Sequence, residues 1–187
     1  MSFSQIPVFL RHGMDERPIR YEYEKLTLDF ENQSDNPNPE YANDGDSGFD
    51  LRAWITENDN LSKLNKTENK YQITLKPMER RLIHTGLYFN LPLHTEIQVR
   101  SRSGISLREG LVVLNSPGTV DGNYTNEVGI IIINLSKKDI TITSGDRIAQ
   151  GVLMPVYCKE LVNLHQVDKV KENNSRNKNG IGSTGIK

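Results

Sequence analysis

Between Tyr71 and Tyr157 the chain is a succession of short apolar runs bounded by Pro, Gly or polar residues. YQITL, RRLIHTGLYFNLP, TEIQV, GLVVLNS, EVGIIIINLS and DITITSGDRIAQGVLMPVY are rich in Ile, Leu, Val, Tyr and Thr. Side chains that alternate between two faces suit a half-buried strand, and the interruptions supply turns. NSPG, DGNY and SGD are the clearest of these interruptions. A helical period is sustained nowhere for more than about three turns. The one helical candidate is SGISLREG at 103–110, too brief to set the architecture. The pattern predicts an all-β domain: a sandwich, barrel or jelly roll.

Two stretches break it. TENDNLSKLNKTENK at 56–70 is polar and reads as a long surface loop. DKVKENNSRNKNGIGSTGIK at 168–187 has almost nothing with which to build a core and reads as a mobile C-terminal arm. The expected organisation is an N-terminal extension at 1–21, a β domain at 22–167 interrupted by the 56–70 insertion, and the arm. At 187 residues this fits one domain on a prior of ~100–200 residues.

Bulk charge excludes more than it identifies. A net charge of −1 provides no general attraction for nucleic acid or an anionic membrane, so phosphate recognition must come from local clusters. No run approaches the ~18 apolar residues of a membrane span. The single cysteine, Cys158, cannot form an internal disulfide, and no Cys/His spacing resembles a zinc site. A reducing, cytoplasmic compartment is the simple expectation.

Three clusters could carry chemistry. RSRSG at 100–104 follows a strand and precedes the helical turn, offering guanidinium forks, hydroxyls and a close-approach glycine to a polyphosphate. Taken alone it reads more readily as a solvated basic turn with capping serines. NSPGTVDGNYTNEVG at 115–129 reads as a hairpin whose backbone could pair with a base edge, with Asp121 and Tyr124 three apart at its tip. An ionised Asp can orient and partly deprotonate water, although an Asp in a hairpin is more often a turn former. GIGSTG at 180–185, after Arg176, allows close backbone approach to phosphate but lacks the lysine and flanking elements of a Walker loop, and a Gly/Ser tail is the plain alternative.

In order along the chain, PEYANDGDSGFDLRA (39–53), VRSRSGIS (99–106), NSPGTVDGNYTNEVG (115–129), GDRIAQ (145–150) and RNKNGIGSTG (176–185) resemble the five motifs of the trimeric dUTPase family. The resemblance leaves 1–21 unmatched and marks 56–70 as an insertion. It implies a jelly-roll-like distorted β-barrel assembled as a homotrimer, each site drawing motifs one, two and four from one chain, motif three from the next and the exchanged C-terminal arm from the third. The implied activity is Mg²⁺-dependent hydrolysis of dUTP to dUMP and pyrophosphate, which limits uracil entry into DNA and supplies dUMP for dTMP synthesis.

The resemblance also implies roles. Asp121 would hold the water that attacks the α-phosphorus, and Asp50 would hold Mg²⁺ through water. Arg102, Ser103, Gly104, Gln150 and Arg176 would bind phosphates, and Arg147 would have a supporting structural role. Tyr124 would pack under deoxyribose. Asn115 and the backbone at Gly118, Thr119, Val120 and Gly129 would read uracil, and Ile181, Gly182, Ser183 and Thr184 would close over the nucleotide. Ile181 stands where the family has an aromatic ring, so stacking on uracil is lost. Asn123 and Asn126 depart from motif three, and Asn177 and Asn179 replace glycines of motif five.

Two other readings share the fold. A dCTP deaminase needs a glutamate on the strand after Asp121, and that strand reads VGIIIIN. A nucleotide-switched binding or regulatory protein would dock a protein partner on 1–21 or 56–70, segments that read more readily as variable surface loop.

Overall fold

The computed structural model describes residues 25–60 and 62–169. The expected extension at 1–21 and the fifth motif at 176–185 lie outside the described residues. The strands are β1 (Asp29–Asn32), β2 (Phe49–Arg52), β3 (Lys63–Asn65), β4 (Lys70–Leu75), β5 (Arg80–Ile83) and β6 (Leu87–Asn90). After β7 (Thr95–Arg100) comes a helix, α1 (Ser103–Glu109). The remaining strands are β8 (Leu111–Val113), β9 (Gly118–Val120), β10 (Ile130–Asn134), β11 (Ile140–Thr143) and β12 (Arg147–Pro155). Apart from that one short helix the described chain is all β, with a jelly-roll-like arrangement of small sheets.

Pairing is antiparallel throughout and mostly between distant parts of the sequence. The four sheets run β1-β6, β5-β10-β8, β11-β4-β3 and β2-β12-β7-β9. The last of these carries the site. In β7 the sequence TEIQVR alternates as the period of two demands: Thr95, Ile97 and Val99 are buried, and Glu96, Gln98 and Arg100 are not. In β2, Phe49 and Leu51 point inward while Asp50 and Arg52 do not. Leu51, Leu75, Ile97, Ile132 and Ala149 are completely covered, in one core contributed by all four sheets. A large aliphatic side chain buried to this degree stabilises by about 1.5–3 kcal/mol.

The centre of this sheet needs a residue with no side chain at one point. Phe49 pairs with Gly151, and a Cβ on Gly151 would sit 2.7 Å from the Phe49 ring. Phe49 packs edge-on to Tyr41, their centroids 5.9 Å apart, and against Phe89 at 5.8 Å.

Where β12 meets β2 the register shifts. Arg147 faces Arg52 and Ala149 faces Leu51, so Ile148 is the extra residue of a bulge. Ile148 and Ala149 are therefore consecutive and both buried, and Arg147 and Gln150, three apart, come to the same outer side.

Two sequence expectations are corrected. The 56–70 stretch is not a continuous loop: β3 pairs with β4 across a turn at 66–69, in which Asn69 adopts φ 51°. Asn65 Oδ1 accepts from the Thr67 amide at 3.0 Å, so polar residues build a small hairpin arm there. The 115–129 segment is not a hairpin of mutually paired strands either. Its first part, β9, pairs with β7, whereas β10 pairs with β5 and β8, so the segment crosses from one sheet to another.

Candidate functional site

Registers in the four-stranded sheet place Asp50, Gln150 and Arg100 side by side on adjacent strands. Asp50 and Gln150 line an open cleft of about 360 Å³ with Arg147 of β12 and the start of α1: Arg102, Ser103 and Gly104. The cleft is strongly polar and holds three guanidiniums, from Arg102, Arg108 and Arg147, against three carboxylates, from Glu40, Asp46 and Asp50.

Asp50 organises this charge. Its Oδ1 lies 2.9 Å from Arg102 Nε, and its Oδ2 accepts from an Arg147 terminal nitrogen at 3.1 Å. Arg102 in turn donates to the Arg147 carbonyl at 3.1 Å. Gln150 donates its amide to the Ser101 carbonyl at 3.0 Å, and the Ser101 hydroxyl accepts from the Val113 amide at 2.9 Å. Arg102 is the N-cap of α1, and no side chain caps the first turn. Each Asp50 oxygen keeps a lone pair beyond its arginine contact, and the carboxylate opens on the cleft. Hard oxygen donors in that setting suit a hard divalent cation held through water.

Asp121 is elsewhere. Val120, its neighbour, pairs with Ile97, whereas the cleft row pairs at Arg100, three residues along β7 or ~10 Å at the usual strand rise. Asp121 is exposed at the far end of the sheet and does not line the cleft. It opens a turn closed by the Tyr124 amide donating to the Asp121 carbonyl at 3.0 Å. The rest of that segment is pinned from outside. Tyr124, 40% exposed, donates its hydroxyl to the Glu127 carbonyl at 2.9 Å. The Glu127 carboxylate accepts from the Thr85 and Gly86 amides at 3.1 and 2.7 Å and contacts His84 Nδ1 at 2.8 Å.

The expected residues thus fall into two groups within one chain. Asp50, Arg102, Ser103, Gly104, Arg147 and Gln150 converge in the cleft. Asn115, Gly118, Thr119, Val120, Asp121, Tyr124 and Gly129 follow the crossing segment and do not enter it. Gly118 has a packing reason of its own: a Cβ there would meet the Asn115 amide at 3.1 Å. Arg176, Ile181, Gly182, Ser183 and Thr184 lie outside the described residues. Sequence reasoning missed Arg108, whose guanidinium lies over Gly104, and Glu127, the anchor of the Tyr124 loop. The helical four-residue spacing from Gly104 to Arg108 could have revealed the first. Glu127 gives no local signal, since its partners come from the β5–β6 connection.

A family model described as dUTPase matches residues 68–185. The chain is 43% identical over 154 residues to the deoxyuridine 5'-triphosphate nucleotidohydrolase of Finegoldia magna, an alignment covering 82% of this chain and 95% of that protein. Among solved structures it is similar to a dUTPase of Staphylococcus bacteriophage 80alpha described with dUpNHpp, at TM-score 0.70 and 23% identity, covering 87% of this chain and all of that one. A dUTPase from phage phi11 of S. aureus, described with a structural Mg(II) ion, matches at TM-score 0.63 and 22% identity over 79% of this chain and all of that one.

Proposed function

The chain belongs to the dUTPase family and is a dUTP diphosphatase, and from that premise we propose a site shared between copies of the chain. The reaction is hydrolysis of dUTP to dUMP and pyrophosphate, removing a source of uracil in DNA and releasing the precursor of dTMP. The observation that carries the shared site is the separation of Asp121 from the Asp50–Arg102–Arg147 cleft at opposite ends of one sheet. A carboxylate that activates water must come within hydrogen-bond reach of it, directly beside the phosphorus under attack. With phosphates at Arg102, Ser103 and Gly104, the Asp121 that serves them belongs to a second copy.

A homotrimer closes this arrangement by symmetry. Supporting it, Ile131 and Leu82 stand opposite one another in β10 and β5 and remain 36% and 56% exposed, with Leu114 beside them at 46%. An apolar cross-strand patch of this kind favours cover by another copy.

In each shared site Arg102 is pre-aimed by Asp50, which Arg147 braces from its other oxygen, so the Arg102 guanidinium binds the triphosphate without reorganising. Gln150, tied to Ser101, adds an amide at the same edge, and Arg176 and the Ser183–Thr184 arm of the third chain close the phosphate end and exclude water. Asp121 of the neighbour takes a proton from the water that attacks the α-phosphorus, and pyrophosphate leaves in line with no covalent intermediate. Asp50 would hold Mg²⁺ through water, and the bound ion would supply charge neutralisation on the phosphates. Tyr124 lies under deoxyribose, where a 2′-hydroxyl would not fit. Asn115 and the main chain at Gly118, Thr119, Val120 and Gly129 pair with uracil; cytosine would leave buried groups unpaired there. The aliphatic Ile181 covers the base without stacking. Against a deaminase, β10 is Ile130–Ile133 followed by Asn134 and offers no carboxylate to the base.

Product analysis with dUTP, UTP, dCTP and dTTP, each with and without Mg²⁺, tests the reading. Pyrophosphate from dUTP alone and only with the metal supports it. Nucleotide bound with no pyrophosphate released would instead make the chain a binding module, and release from UTP at a similar rate would refute the sugar pocket.

A further inference from the structure

Away from the cleft, three side chains with metal-binding chemistry meet at the surface. His94, in the connection from β6 to β7, and Cys158 and Glu160, just beyond β12, each offer a ligand atom, all within 4.8 Å of one another. His94 Nδ1 is 3.2 Å from Cys158 Sγ. In a tetrahedral zinc site, bonds of ~2.3 Å to sulfur and ~2.0 Å to nitrogen set those atoms ~3.5 Å apart, close to what is found here. Sequence spacing alone contains no such site, because His94 and Cys158 are 64 residues apart and only folding joins them.

The two loops are fastened by their backbones independently of the side chains. The Val156 amide donates to the His94 carbonyl at 2.9 Å. The Leu161 and Val162 amides both donate to the Cys158 carbonyl, at 2.9 and 3.1 Å, closing the turn that presents the thiol and carboxylate. His94 and Glu160 are exposed and Cys158 is half-buried, so an ion can reach the group from solvent. A soft thiolate, a borderline imidazole and a single carboxylate select a zinc-like ion and not Mg²⁺.

We propose that His94, Cys158 and Glu160 bind one zinc-class divalent transition-metal ion per chain, with water completing its coordination. The thiolate is the form of Cys158 that ligates a metal, so the ion displaces the thiol proton and binding releases it. The ion fastens the segment leaving β12 to the start of β7. Thr95, next to His94, packs its carbonyl close to Gly122, where an added Cβ would sit 3.2 Å away. The site therefore backs onto the turn that carries Asp121.

Untagged full-length protein, stripped with chelator and titrated with CoCl₂, tests this. The expected result is saturation at one Co²⁺ per chain with a thiolate-to-cobalt absorption band that Zn²⁺ then abolishes. The band disappears in Cys158→Ser. Affinity falls by roughly tenfold or more in His94→Asn, a replacement that tolerates the φ of 60° at this position. Circular dichroism matching wild type identifies the variants as folded, and Glu160→Gln supplies an independent arm. Absence of a thiolate band in wild type at saturating cobalt, or wild-type affinity in both folded His94→Asn and Glu160→Gln, overturns the site.

Discussion

Asp50 and Arg102 meet through Oδ1 and Nε at 2.9 Å, each side chain about one-quarter exposed, in the polar cleft beside the start of α1. A partly exposed pair of this kind contributes little stability, about 0–1 kcal/mol, so what it determines is the aim of the guanidinium. Asp50→Asn keeps the shape and removes the charge that orients both arginines. The Mg²⁺ concentration for half-maximal pyrophosphate release should rise by roughly tenfold or more, with a thermal midpoint close to wild type. An unchanged metal requirement would take Asp50 out of the metal's shell.

Asp121→Asn separates chemistry from binding. Turnover should fall by roughly two to four orders of magnitude, the usual contribution of a general base. Affinity for dUpNHpp should change little. Near-wild-type turnover would show that water is activated by another group.

Separation of the two residue groups along β7 gives a mixing experiment. Asp121→Asn and Arg102→Ala chains are each expected to be almost inactive alone. Unfolded together and refolded, they should regain a substantial fraction of wild-type activity, since some sites receive an intact cleft from one chain and an intact Asp121 from another. Mixtures no more active than their components would mean that each chain works alone.

Gly151→Ala probes the sheet beneath the cleft. Its Cβ would come within 2.7 Å of the Phe49 ring, which is itself packed between Tyr41 and Phe89. Overpacking of this sort costs about 1–3 kcal/mol, read as a lower midpoint in thermal or urea denaturation. A wild-type midpoint would show that the ring can swing aside.

Glu79 gives a pH signature. Its carboxylate accepts from the Lys76 amide at 3.0 Å and from Arg81 Nε at 3.0 Å. The backbone donor above all, then the guanidinium, holds its pKa below the usual carboxylate range, against the opposing effect of burial. A depressed carboxylate contributes stability that is complete above the unfolded pKa and lost as pH falls through the folded one. Wild type and Glu79→Gln should therefore differ most near neutral pH and converge in acid, as followed by denaturation across pH. A gap that widened in acid would contradict this.

Strands whose partners leave their alternation undisturbed were legible from sequence. The TEIQVR run announces β7, and SGISLREG announces α1, whose end at Gly110 requires a left-handed residue, φ 73°. Motifs one, two and four could be grouped in advance, and Asp50, Arg102 and Gln150 do meet. What escaped depends on partners distant in sequence. The polar composition of 56–70 hid β3, because a two-stranded arm pairs by backbone and needs no apolar face. The crossing of 115–129 between sheets is decided by β7, β5 and β8, not by its own turn residues. Glu127 acquires its function only once the β5–β6 connection arrives to donate two amides.

The irregularity between Arg147 and Ala149 makes chain length, more than residue identity, the guarded property of β12. Shortening the strand by one would keep Arg147 and Gln150 turned toward solvent while emptying the space that Ile148 fills. Letting it relax into uniform pairing would keep the isoleucine and send Gln150 inward. A single surplus peptide unit satisfies both demands, so indels in this stretch should be selected against even where its side chains vary.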